Sequence, residues 1–224
     1  MGRPIRTDIA GYVYHVLNRA NARSTIFSSK EEYQDFEKIL FEAIEKFKMR
    51  VIAYVLMPNH FHLVLYPEYD GEIKKFMHWL TLTHTQRWHA KTNTVGHGHL
   101  YQGRYKSFIV EKNEYLWALL TYVERNPVRA KLIKSFKDWE WSSYYIRNYG
   151  PEKYKKLLSS DSITWPVDYE KLLIQQEAEG GLTEIRNSIN RGRPYGTDFW
   201  VDDILEKFGL QSTENSRGRP IKGS

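Results

Sequence analysis

The feature that most constrains the fold is a β-hairpin pattern in the first third of the chain. Residues 51–56 and 60–66 are rich in the β-branched and aromatic residues that favour strands. Only Met57, Pro58 and Asn59 separate the two runs, and proline fixes φ while asparagine tolerates turn geometry. Strands joined by so short a link pair antiparallel. The sequence therefore predicts an antiparallel hairpin.

Strand and helix patterns alternate around this hairpin. Residues 12–19 and 105–111 have the composition of strands, and apolar residues at helical spacing follow Ser29, Gly71 and Asn113. Ser28 and Ser29, each followed three residues later by a glutamate, are two candidate capping-box patterns. The order β-α-β-β-α-β-α predicts an α+β fold with a ferredoxin-like or RRM-like antiparallel sheet. We expect helices on one face of this sheet, which leaves the other face free to present a site.

The pattern weakens after residue 149. Gly-Pro at 150–151 and Gly-Gly at 180–181 are breaks, and one further amphipathic helix is predicted over 198–208, ending at Gly209. The last dozen residues have the composition of a disordered segment. We therefore expect a core domain over residues 1–150 and a helical, partly disordered C-terminal extension over residues 151–224.

Composition excludes several classes of protein. The chain has no cysteine, which excludes disulfides, thiolate zinc sites and cysteine nucleophiles. Hydrophobic residues make up 41% of the chain, enough for a core, but the longest apolar run, residues 51–57, is too short to cross a bilayer. The first residues lack the apolar stretch of a secretory signal. These observations predict a soluble cytoplasmic protein with no membrane association.

The positive charge is concentrated in one region. The formal net charge is +6, and residues 100–137 contain eight Lys or Arg against three acidic residues. A local excess of this kind attracts polyanions, although a solvated helix face has the same composition. The aromatic content of 15% favours a nucleic-acid ligand, because unpaired bases stack on aromatic rings.

Two histidines in the predicted hairpin form a candidate metal site. Alternate side chains of a strand share a face, so His60 and His62 point to one side and Phe61 points to the other. Two imidazoles in this arrangement can bind one divalent cation. A chain with 8 histidines also contains such pairs by chance, and His97 and His99 form a second pair in a glycine-rich loop. The His60–His62 pair alone leaves both interpretations open.

A second candidate group lies on the helix that follows Asn113. Tyr122 and Asn126 are four residues apart and share a helix face. The asparagine oxygen can complete a metal shell, and the tyrosine would then lie beside the same ion. Alternatively, Asn126 is an N-cap followed by Pro127, and Tyr122 is an ordinary core residue.

Three motifs, taken in order, resemble those of the HUH single-tyrosine transposases. They are residues 57–63 (MPNHFHL), 102–107 (QGRYKS) and 122–130 (YVERNPVRA). Residues 139–143 (WEWSS) match a further pattern of the REP-associated tyrosine transposases, the group to which the chain is most similar. The resemblance runs from about residue 12 to residue 145.

The resemblance implies a metal-dependent endonuclease and strand transferase that acts on single-stranded DNA at hairpin-associated elements. His60, His62 and Asn126 would bind Mg²⁺ or Mn²⁺, and Tyr122 would be the nucleophile that forms a 5′-phosphotyrosine bond. Paired imidazoles prefer softer ions than Mg²⁺, which favours Mn²⁺ in vitro. Single-stranded or hairpin DNA is the implied partner, and we expect a nucleoid-associated monomer.

The predicted DNA contacts are arginines and lysines in the motifs and in a repeat. A repeated Arg-Gly-Arg-Pro peptide is the core of AT-hook-like segments that enter a minor groove, although a disordered basic tail has the same composition. The predicted contact residues are Arg104, Lys106, Arg125, Arg129, Arg191, Arg193, Arg217 and Arg219.

Two other functions remain open from the sequence. An HUH replication or mobilisation initiator would use the same tyrosine chemistry. A non-catalytic RRM-like nucleic-acid-binding protein would need neither a metal nor the hydroxyl of Tyr122.

Overall fold

The structure is a computed structural model that describes residues 6–159, 163–175 and 179–214. Within these ranges, four strands form a single antiparallel sheet in the order β2-β3-β1-β4. The strands are β1 (Val13–Arg19), β2 (Arg50–Met57), β3 (His60–Tyr66) and β4 (Lys106–Val110). This arrangement confirms the predicted α+β class and antiparallel sheet, and Pro58 and Asn59 form the turn between β2 and β3.

Two long helices cover one face of the sheet. Helix α1 (Lys30–Phe47) begins with the second of the two predicted capping boxes, in which the Ser29 side chain accepts the backbone N–H of Glu32 and the Glu32 side chain accepts that of Ser29. Helix α2 (Glu72–Thr92) follows Gly71, whose φ of +79° favours glycine. The apolar sides of both helices pack on the strand residues that point to this face. This core includes Tyr14, Val16, Phe36, Leu40, Tyr54, Phe61, Leu63, Phe76 and Leu80.

The second face of the sheet is also covered, contrary to the expectation that it would be open. Helices α3 (Glu114–Glu124), α5 (Ser143–Tyr149) and α8 (Glu179–Arg191) contact its strands, and a second core lies between these helices and the sheet. The reason is visible in β2 and β3, where Val55 and Val64 point to this face and are fully buried. A strand that is apolar on both sides must be covered on both sides. The other helices described beyond α2 are α4 (Asn126–Arg129), α6 (Glu152–Lys155), α7 (Tyr169–Ile174) and α9 (Asp198–Phe208).

The C-terminal extension contributes to both cores. Val201 and Leu205 of α9 pack in the core beneath α1 and α2, and Ile185 of α8 packs in the core on the second face. Between these helices, Tyr195 pairs with the edge of β4, where its N–H donates to the carbonyl of Ile109. The expected end of α9 before Gly209 is confirmed, and the expected disorder of the last residues concerns a segment outside the described ranges. In the described part of the chain, no helix is both long enough and apolar enough for a bilayer span.

A buried carboxyl group makes the stability of this fold depend on pH. Glu37 of α1 is 8% exposed, and burial raises its pKa to about 7 although the Tyr54 hydroxyl donates a hydrogen bond of 2.6 Å to it. The folded state therefore holds this proton to a higher pH than the unfolded state does. We expect the free energy of unfolding to fall by about 3 kcal/mol between pH 4.5 and pH 7 because of this group. Urea unfolding measured across this range should give a free energy of unfolding that depends less on pH for Glu37→Gln than for the wild type. The same pH dependence in both proteins would contradict the raised pKa of Glu37.

Candidate active site

A cleft of about 320 Å³ lies where β1 and β3 meet the α3–α4 junction and α8. It contains the four residues that the sequence singled out as metal ligands and nucleophile, although about sixty residues separate the two pairs along the chain. The lining residues are Leu17, Arg19, His60, His62, Tyr122, Asn126, Arg129, Ala130, Arg186, Ile189 and Asn190.

Strand β3 presents the two histidines to the cleft as its alternation predicts. His62 lies opposite Leu17 of β1, and His60 lies opposite Arg19. Nε2 of His62 is 3.0 Å from the side-chain nitrogen of Asn126. Nδ1 of His60 is 2.6 Å from the side-chain oxygen of Asn59 in the hairpin turn.

Both imidazoles are held in the neutral form. Burial, together with the positive charges of Arg19 and Arg129, lowers the pKa of His60 to about 3. Burial also places the pKa of His62 well below its ordinary value. A neutral imidazole has one nitrogen lone pair, which is the form that binds a metal ion.

Tyr122 and Asn126 reach the cleft from either side of a helix junction. Helix α3 ends at Glu124, and α4 begins at Asn126 directly before Pro127. The Asn126 side chain is directed at His62, and the residue in the capping position is Arg125, so the N-cap alternative for Asn126 is wrong. The ring of Tyr122 is 7% exposed, and its centroid is 5.9 Å from that of His62.

The donor set fits a divalent cation. Because Nδ1 of His60 is engaged with the side-chain oxygen of Asn59, its Nε2 is the nitrogen left for a metal. His62 directs its Nε2 toward Asn126. Over the described ranges, no cluster of three His, Cys, Asp or Glu side chains is arranged to bind a metal. Asn126 is the amide next to His62 in this cleft, and its oxygen would join the two imidazoles once the amide turns, because its nitrogen now faces His62.

Three cationic side chains surround these groups, and two of them were not predicted. Arg129 places its guanidinium 4.0 Å from the centre of the Tyr122 ring and donates to the Tyr122 carbonyl. Arg19 ends β1, and Arg186 projects from α8. Among the cleft-lining residues that the structure describes, none is acidic. Arg19 lies in the cleft because it pairs with His60 across β1 and β3. The sequence alone does not show this pairing, since it depends on the strand order.

The other predicted DNA contacts that the structure describes do not line the cleft. Arg104 and Lys106 are exposed, and Lys106 lies in the same row across the sheet as His62, two strands away. Arg125 instead donates to the carbonyl of Leu173 in α7. Arg191 donates to the carbonyl of Glu214.

The two Arg-Gly-Arg-Pro segments differ in what the structure describes. The first copy, with Arg193, connects α8 to the edge of β4 and is part of the fold. The second copy, with Arg217 and Arg219, lies outside the described residues. His97 and His99, the other histidine pair, are exposed in the loop before β4.

A buried ion pair fixes the helix that carries Tyr122 to the helices behind it. Oε1 of Glu124 accepts hydrogen bonds of 2.5 Å from Arg147 and from the Ser143 hydroxyl, and Oε2 accepts one of 2.9 Å from Tyr169. The Glu124 side chain is fully buried, and that of Arg147 is 17% exposed. Three elements, α3, α5 and α7, therefore meet at one carboxylate.

Removal of this carboxylate should destabilise the protein strongly. We expect Glu124→Ala to lower the free energy of unfolding by about 3–5 kcal/mol, because it leaves a buried guanidinium without its counter-ion. Glu42→Ala is the matched control, since it breaks an exposed Glu42–Arg87 pair of 2.8 Å and should cost about 1 kcal/mol or less. Chemical denaturation measures both, and similar losses for the two variants would contradict the role of the buried pair.

Comparison with known proteins places this arrangement in context. A model of the family of IS200-like transposases matches residues 8–126, just over half of the chain. A REP-associated tyrosine transposase bound to a REP hairpin has a similar structure, with a TM-score of 0.56, 19% identity, and coverage of 75% of this chain and 93% of that chain. A protein of Deinococcus radiodurans described as a candidate transposase has 19% identity, a TM-score of 0.40, and coverage of 56% and 95%. No curated protein sequence matches the chain significantly. All four residues that converge in the cleft fall within the range of the family model.

Proposed function

Because the chain belongs to the family of IS200-like transposases, we propose that it cuts and rejoins single-stranded DNA through a covalent bond to Tyr122. The observation that carries this proposal is the meeting of Tyr122, His60, His62 and Asn126 in one cleft. A nucleophile beside two neutral imidazoles and an amide is a set of groups that supports a metal-assisted phosphodiester transfer.

The proposed reaction exchanges one phosphodiester for another. The Tyr122 hydroxyl oxygen attacks the phosphorus of the scissile phosphate, and the bond from phosphorus to the 3′-oxygen breaks. The hydroxyl proton of the tyrosine is released, and one proton is taken up by the departing 3′-oxygen. The products are a 5′-phosphotyrosine and a free 3′-OH, and attack by a different 3′-OH rejoins the DNA in the reverse sense. No external energy source is needed because the number of phosphodiester bonds is conserved.

The arginines of the cleft are suited to hold the phosphate. Nε of Arg19 is buried and has no hydrogen-bond partner among the described residues, so a phosphate oxygen would satisfy a donor that is otherwise orphaned. Arg129 lies against the Tyr122 ring and brings positive charge beside the nucleophile. Arg186 adds a third charge from the extension.

His60, His62 and Asn126 would hold Mg²⁺ or Mn²⁺, which when bound supplies Lewis-acid polarisation of the scissile phosphate. The side chains of this chain provide the rest of the catalytic environment. The partly buried cleft excludes bulk water from the ring of Tyr122. Arg129 restrains this residue, because it packs on the face of the ring and donates a hydrogen bond to the Tyr122 backbone carbonyl.

We propose hairpin-forming single strands as the substrate. The REP-associated transposase that shares this fold is bound to a REP hairpin. The non-catalytic RRM-like alternative is disfavoured by the covered second face, since an RRM-like domain binds RNA on an open sheet. The family match favours a transposase over a replication or mobilisation initiator.

A covalent-adduct assay tests the proposed function. The protein is incubated with end-labelled single-stranded oligonucleotides that contain a hairpin, with Mn²⁺ or with a chelator. We expect a protein–DNA species that survives denaturation, depends on Mn²⁺ and disappears after protease treatment. Binding without any covalent species, over a broad panel of hairpins, would support the non-catalytic alternative instead.

A further inference from the structure

His15 of β1 lies directly behind the proposed metal ligands, and no pattern in the sequence singles it out. Its Nε2 is 2.8 Å from Nδ1 of His62, and both side chains are at most 2% exposed. The His15 ring also packs on Phe108 of β4, with 4.8 Å between the ring centroids. His15 is therefore held between a neighbouring strand and the one imidazole that contacts Asn126.

The hydrogen bonds along this row determine where each proton lies. The side-chain nitrogen of Asn126 donates to Nε2 of His62, which must then carry a lone pair. The proton of His62 is in consequence on Nδ1, and it is donated to Nε2 of His15. His15 thus accepts a hydrogen bond, and the lone pair on Nε2 of His62 faces the Asn126 amide at the cleft.

We propose that His15 is a positioning residue that sets the tautomer and ring orientation of His62 so that His62 Nε2 is available to a divalent cation. This inference rests on the proposed function, because it takes His62 to be a metal ligand. Metal-bound histidines usually donate their second ring N–H to a fixed acceptor, and loss of that acceptor weakens metal binding about 10–100-fold. In this protein, the acceptor would be a second imidazole.

The cleft itself shows why one histidine needs this support and the other does not. His60 follows the hairpin turn, where the neighbouring Asn59 side chain provides its acceptor at 2.6 Å. His62 lies two residues further into the sheet, between β1 and β2, where main-chain groups are engaged in strand pairing. An acceptor for its Nδ1 must therefore come from a side chain on an adjacent strand, and His15 occupies that place.

The test measures Mn²⁺ binding without any DNA. Electron paramagnetic resonance titration gives the dissociation constant for Mn²⁺, and two-bond ¹H–¹⁵N correlation spectra of the metal-free protein report the histidine tautomers. His15→Phe keeps an aromatic ring and removes the acceptor, and His15→Gln restores an acceptor through its amide oxygen. His84→Phe is the matched control, because His84 is also buried and hydrogen-bonded, at 2.6 Å to the Tyr101 hydroxyl, but lies in the other core.

We expect His62 to be protonated on Nδ1 in the wild-type protein. His15→Phe should weaken Mn²⁺ binding about 10–100-fold, with partial recovery in His15→Gln and no change in His84→Phe. Protonation of His62 on Nε2 in the wild type would overturn the inference even if His15→Phe fails to fold. Equal Mn²⁺ affinity for His15→Phe and wild type would also overturn it.

Failure of the proposed metal site would look different. If wild-type protein and His60→Ala bind Mn²⁺ equally, the metal is not held in this cleft and the proposed function is at fault. If His60→Ala loses binding but both His15 variants keep it, the metal site stands and only the role of His15 is wrong.

Discussion

Tyr122→Phe is expected to abolish the covalent protein–DNA adduct while leaving DNA binding unchanged. The substitution removes one oxygen atom, and that atom is the proposed nucleophile. The ring remains in place, where Arg129 packs against its face at 4.0 Å and the His62 ring lies 5.9 Å away. Adduct formation on a labelled hairpin oligonucleotide and binding measured by fluorescence anisotropy separate the two effects.

Tyr115→Phe is the matched control for this experiment. Tyr115 lies on the same helix as Tyr122 but packs edge-to-face on Tyr195, and it does not line the cleft. The control should form adduct at the wild-type rate. If the adduct persists in Tyr122→Phe but is lost in Tyr115→Phe or in a Tyr105 variant, the nucleophile is Tyr115 or Tyr105.

The local patterns of the sequence were sufficient for the sheet and for the residues that it aligns. The hairpin turn at Pro58 and the alternation along β3 place His60 and His62 on one face without any knowledge of the rest of the fold. The spacing of Tyr122 and Asn126 likewise survives the helix junction at Arg125. Each of these inferences depends on neighbours within a few residues.

Contacts between distant segments were not predictable in the same way. The sequence pattern shows that β2 is apolar on both sides, but it does not show which helices cover it. Arg186 reaches the cleft only because α8 returns to β4, from a region where the pattern is weak. In the sequence, His15 is one of several polar residues of β1, and its role depends on the register that places it next to His62.

Loss of the two cleft histidines should remove metal-dependent cleavage, whereas loss of the residue between them should affect the fold. Successive side chains of β3 point to opposite faces, so His60 lines the cleft and Phe61 is fully buried against Phe36, with 4.9 Å between the ring centroids. Phe61→Ala is therefore a control between the two histidines, on the opposite face of the same strand. Phe61→Ala should lower the free energy of unfolding by about 3–5 kcal/mol, as truncation of a buried aromatic residue does.

His60→Ala should reduce Mn²⁺-stimulated cleavage about 100-fold or more, because it removes a proposed metal ligand that lines the cleft. The His60 ring is half-buried at the end of β3, so its loss leaves the strand pairing intact and the unfolding midpoint close to that of the wild type. Cleavage rates with and without Mn²⁺, together with thermal unfolding, distinguish this outcome from that of Phe61→Ala.

If a His60→Ala, His62→Ala double variant still cleaved DNA in response to Mn²⁺, the metal would have to bind elsewhere, and His97 and His99 in the exposed loop would become the candidates. The cleft favours the first pair, since only there do two imidazoles lie beside a tyrosine, an amide and three arginines within the described part of the chain.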